Sequence, residues 1–210
     1  MNKKIVKAKD AFLRQKKFYM FLVTLMLIGF ISGIIFIFFT SASNKANITK
    51  KVIEFFDTIK ASTGINYGKS LVNTLFTNLL YVILIWLLGI SLIGFPIIIG
   101  ILFFKSFILG LSISSIISSF GIKGLLGSFL YIFPHNIILI ILYLLLGFYS
   151  LSFCYKLFSH LFLKRSINFN YGMNRYLKIL GISIIITILI SLYQVFLSTY
   201  FLKLFTSLIK

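Results

Sequence analysis

The chain has 210 residues, and its 21 Lys and Arg against three Asp and Glu give it a formal charge of +18. Only 11% of its residues are charged and 60% are hydrophobic, whereas a soluble domain carries about 25% charged residues. A water-soluble fold is excluded, and so is disorder, because 25 Phe and 11 Tyr lie largely in long apolar runs.

In chain order, a basic arm (Lys3, Lys4, Lys7, Lys9, Arg14, Lys16, Lys17) precedes a charge-free run predicted to cross the membrane over 18–40. A secretory signal has an apolar core of about 7–15 residues. This run is longer, so it reads as a retained helix. Gly29 and Gly33 form a GxxxG pattern in it, which permits close helix approach within one bundle or against a second copy of the chain.

An amphipathic helix is predicted next, over 47–61. Ile48, Val52, Phe55, Phe56 and Ile59 form its apolar stripe, with Lys50, Lys51, Glu54, Asp57 and Lys60 opposite. It reads either as a helix lying in the outer headgroup layer or as a docking surface made by Val52, Phe55, Phe56 and Ile59.

The second span is predicted over 71–93, and a turn at Gly94 and Pro96 leads to the third, over 97–119. The third carries Ser106, Gly110, Ser114 and Ser118, a small residue at every fourth position. Residues 124–133 are apolar but too short to span, and read as a half-helix or interfacial turn. A break at Pro134 precedes the fourth span, over 137–157. The fifth, over 179–202, bears a weakly polar stripe of Ser183, Thr187, Ser191, Gln194 and Ser198. The expected fold is all-α: one polytopic transmembrane bundle of about five spans.

Basic residues near span ends orient such a bundle. With the N-terminus inside, seven basics before Phe18 and five from Lys156 to Lys178 give 12 on the cytoplasmic side. Five from Lys45 to Lys69, with Lys123, Lys203 and Lys210, give 8 outside. This favours N-in and C-out in the cell membrane. The juxtamembrane charge also attracts anionic lipid headgroups. The basics are not gathered with interleaved aromatics on one face, so no nucleic-acid partner is expected.

Asp10, Glu54 and Asp57 all lie outside the spans, which excludes carboxylate pairs, carboxylate metal sites and carboxylate proton relays within the membrane. Cys154 stands alone, and His135 and His160 are the only histidines, too few ligands for a metal site. No phosphate-binding glycine loop is present, so no cofactor and no enzymatic activity are expected.

The polar residue that stands out is Lys105, about nine residues into the third span and hence roughly 13 Å from its start. A lysine near a helix centre costs about 2.5–3.5 kcal/mol. The expectation is therefore a lysine buried among helices with His135 and Asn136 nearby. The alternative is a span that begins at Ser106, with Lys105 at the interface. The interruptions at Gly94–Pro96 and Pro134–Asn136 also admit a transporter or channel subunit, since such breaks mark binding sites in secondary transporters.

One constellation is more specific. Gly89, Ser91, Gly94 and Pro96 form a Gly-x-Ser-x-x-Gly-x-Pro turn, followed by Lys105-Ser106, then Gly121-Ile122-Lys123-Gly124, then Pro134-His135-Asn136. This order resembles the stage II sporulation protein M family of small multipass membrane proteins, with Ser106 where that pattern has Gly. The resemblance implies a non-enzymatic scaffold or anchor in forespore engulfment. It further implies that the chain localises two peptidoglycan-degrading partners, stage II sporulation proteins D and P, at the septum.

Overall fold

The structure is a computed structural model that describes residues 3–61, 67–163 and 169–208. Six helices follow one another: α1 Lys3–Phe39, α2 Ala42–Ala61, α3 Tyr67–Ile90, α4 Gly94–Tyr131, α5 Phe133–Leu163 and α6 Phe169–Leu208. No strand occurs among the described residues. Five helices, all but α2, are long and apolar enough to cross a membrane. The chain is a multi-pass membrane protein.

Residue pairings give the helix directions. Gly29 and Gly33 of α1 meet Phe103 and Phe107 of α4, so these two helices run parallel. Lys105 of α4 faces Tyr143 of α5, and Leu102 meets Gly147, so α5 returns antiparallel. Tyr81 and Gly89 of α3 pair with Tyr143 and Ser150 of α5, a parallel pair. In α6, Tyr176 lies by Trp86 and Ser191 by Asn78, antiparallel to α3. Thus α1, α4 and α6 point one way, and α3 and α5 the other.

The spans are longer than hydropathy alone predicts, and the prolines explain two of the boundaries. Pro96 and Pro134 do not separate helices; each lies in the first turn of α4 or α5. There the missing N–H would have had no intrahelical partner. The turn before α4 is short, with the Gly94 amide donating to the Ser91 carbonyl at 3.1 Å. A Cβ on Gly94 would overlap the Leu88 carbonyl oxygen, so only glycine closes it. The amphipathic helix also starts earlier than predicted, at Ala42, because only Thr40 and Ser41 separate it from α1.

Helix α4 is interrupted at Gly121, whose φ of 59° and ψ of −136° leave the helical region. The chain then turns back. A Cβ on Gly124 would overlap the Ile116 carbonyl oxygen, so residues 122–131 form a short helix close against the last turns of the span. Ile122, Leu125, Leu126 and Phe129 stay exposed on it.

Candidate functional site

The closest helix contact is between α1 and α4. A Cβ on Gly29 would lie 2.7 Å from the Phe103 carbonyl oxygen, and one on Gly33 would overlap that of Phe107. From the other side, Gly110 gives room to the Phe30 carbonyl. The GxxxG pattern of α1 is therefore occupied inside the chain. Ser106 and Ser114 are buried, but Ser118 is exposed. A spacing of four drifts about 40° per step against 3.6 residues per turn, so after three steps Ser118 has rotated off the seam.

The Gly-x-Ser-x-x-Gly-x-Pro turn builds the junction of α3, α5 and α6. Tyr176 of α6 is stacked between Trp86, at 5.4 Å, and Phe153, at 4.5 Å. Its hydroxyl is 2.7 Å from both the Trp86 carbonyl and the Ser150 hydroxyl. Having one proton, it donates to the carbonyl and accepts from Ser150. A Cβ on Gly89 would overlap the Tyr176 hydroxyl and come within 2.8 Å of Ser150 Cβ. The Cys154 thiol donates to the Ser91 carbonyl at 3.3 Å. Polar contacts thus tie α6 to the end of α3 and to α5, and α5 to the turn that follows α3.

A second polar tie lies further along α3 and α6. Asn78 Nδ2 donates to Ser191 Oγ at 3.1 Å and reaches Gln194 Oε1 at 3.5 Å. Ser183, Thr187 and Ser191 of the polar stripe are buried against the bundle. Asn78 and Tyr176 escape sequence reasoning because neither sits in a motif; the polar stripe of α6 is the signal that an acceptor or donor should face it.

Lys105 is about 11 residues into α4, roughly 16 Å from its start, within a helix that continues unbroken to residue 120. The helix therefore does not begin at Ser106. Its Nζ lies 3.3 Å from the centroid of the Tyr81 ring and 5.5 Å from that of Tyr143. Cation–π contacts supply about 0.5–2 kcal/mol against an insertion cost of about 2.5–3.5 kcal/mol, so the rings offset only part of the cost. The lysine borders an open cleft of about 360 Å³ lined by Tyr81, Ile97, Gly100, Ile101, Phe104 and Ile108.

The expected grouping of Lys105 with His135 and Asn136 does not occur. His135 is eight residues from Tyr143 along α5, about 12 Å away. Asn136 Nδ2 is 3.0 Å from His135 Nε2 and donates to the Ile132 carbonyl at 2.9 Å. His135 packs edge-on to Tyr131. These two residues shape the first turn of α5 instead.

The face expected to dock an external partner is also corrected. Phe56 is 4% exposed, stacked edge-on to Phe120 of α4, and Val52 packs into the same cluster. Phe55, 48% exposed, points away because adjacent helix positions are about 100° apart. The side chain of Ile59 lies outside the described residues. The bundle itself covers the Val52–Phe56 face.

Comparison with protein families matches residues 15–199 to stage II sporulation protein M. The chain belongs to the stage II sporulation protein M family. No curated protein and no solved structure matches it. The matched segment contains all five spans and also the Gly89–Pro96 turn, which lies at the junction locked by Tyr176. The glycines of this turn make room for neighbouring groups: the Tyr176 hydroxyl beside Gly89 and the Leu88 carbonyl beside Gly94.

Proposed function

We propose that the protein is a non-enzymatic scaffold of the engulfment machinery, which anchors stage II sporulation proteins D and P at the sporulation septum of the cell membrane. Membership of the stage II sporulation protein M family over residues 15–199 carries this reading. The architecture is compatible with it. Five spans are tied together by backbone-close glycines, an aromatic stack and interhelical hydrogen bonds, as a platform requires. The three carboxylates lie outside the spans, which leaves no carboxylate pair and no carboxylate proton relay within the membrane. Exposed Lys16, Lys17, Lys156 and Arg175 near span ends supply attraction to anionic headgroups.

The test is localisation. In sporulating cells lacking the chain, fluorescent fusions of proteins D and P should disperse from the septum and return on re-expression. Septal retention of both in its absence rejects the scaffold role.

A further inference from the structure

Lys105 has no acceptor among the described residues. Among them its ammonium makes no hydrogen bond and no ion pair, only the two ring contacts. The Tyr143 hydroxyl behind it is buried and likewise unpartnered. The cleft beside the lysine opens outward: Phe104 is 62% exposed, with Ile97 and Ile108 also exposed. These residues, with Gly100, run along one stripe of α4. A Cβ on Gly100 would meet nothing within 4 Å, so the backbone stands open to a close neighbour at that point.

We infer that this cleft docks a membrane-spanning helix of a different protein, one that carries an Asp or Glu at mid-membrane depth to pair with Lys105. Charge complementarity selects this occupant. A lipid phosphate stays at the headgroup layer, whereas Lys105 is roughly 16 Å along the span. At that depth a carboxylate arrives only on a segment whose backbone is internally hydrogen-bonded, which means a helix. A second copy of this chain cannot serve, because its spans contain no acid. The inference deepens the scaffold reading, on which it rests for the existence of a partner, by giving the place and chemistry of contact.

The experiment is photo-cross-linking in native membranes. A benzophenone side chain replaces Phe104 in the full-length chain, with a control at Leu189, which is exposed on α6. The expected result is an adduct at position 104 with a span of another protein that carries Asp or Glu within about one turn of the linked residue. Its yield should fall at least tenfold with Lys105→Met, persist with Lys105→Arg, and be absent at Leu189.

Changing the partner's acid to its amide should abolish the adduct without touching this chain, which keeps the test valid if Lys105→Met fails to accumulate. Adducts at 104 with lipid alone, with a second copy, or with a span lacking an acid overturn the inference. Survival of the adduct without the lysine or without the acid does the same. Septal recruitment of proteins D and P, followed in the same cells, separates the two ideas. Recruitment without the adduct leaves the scaffold and rejects the cleft; an acid- and lysine-dependent adduct without recruitment does the reverse.

Discussion

Single side chains decide how tightly the spans are joined. Replacing Tyr176 with Phe keeps the stack on Trp86 and Phe153 but removes the hydroxyl that links Trp86 and Ser150. Interhelical hydrogen bonds in membranes contribute about 0.6 kcal/mol on average and up to about 1.7 kcal/mol. Thermal unfolding in detergent should therefore show a small loss for Tyr176→Phe, and a similar one for Asn78→Ala. Gly89→Val should be far worse, because its side chain must displace the Tyr176 hydroxyl and Ser150 together. Gly33→Leu meets the backbone of Phe107, which cannot yield, and loss of membrane accumulation is expected. An accumulating, thermally unchanged Gly33→Leu would contradict the α1–α4 contact.

Among elements, the two short helices at one end of the bundle behave differently. Phe56→Ser should free α2 from α4 and expose it to added protease, while Phe55→Ser should leave cleavage unchanged, since only Phe56 is packed. Equal protection of both variants would argue against the seat on Phe120. At Gly121, a positive φ with a strongly negative ψ is glycine territory. Gly121→Ala should cost about 1–3 kcal/mol, read as a lower midpoint in the same unfolding assay.

Much of this was readable in the sequence. Charge-free runs locate five spans, and the 3.6-residue period picks out the amphipathic helix. The helix ends were not, because a proline looks the same whether it ends a helix or sits in the first turn of one. Nor was the side to which Phe55 turns, since an apolar stripe about 100° wide can bury both of two adjacent residues or only one. The position of Lys105 along its helix could be counted along the chain. Its ring partners could not, because Tyr81 and Tyr143 meet it only through helix pairing, which leaves no periodic trace.

For the whole molecule, the helix directions place the start of α1 and the end of α6 at opposite ends of the bundle, as five crossings require. The excess of basic residues then favours the end that bears Lys17 and Lys156 facing the cytoplasm. In a Cys154→Ser background, single cysteines at Lys51 and Lys123 should react with a membrane-impermeant maleimide on intact cells. Cysteines at Lys17 and Lys156 should react only after the membrane is opened. The reverse pattern would invert the bundle without altering its packing.

The stacked position of Trp86 has a practical consequence. It is the only tryptophan in the chain, so all indole fluorescence originates at the meeting point of α3, α5 and α6. A tyrosine ring against the indole and an apolar surround should hold its emission at short wavelength, and opening of the junction should move it to the red. Excitation near 295 nm then provides an internal gauge of integrity for every variant above. A Lys105 variant that loses its cross-link with an unshifted spectrum has lost a binding contact, whereas a Gly89 variant with a red-shifted spectrum has lost the fold.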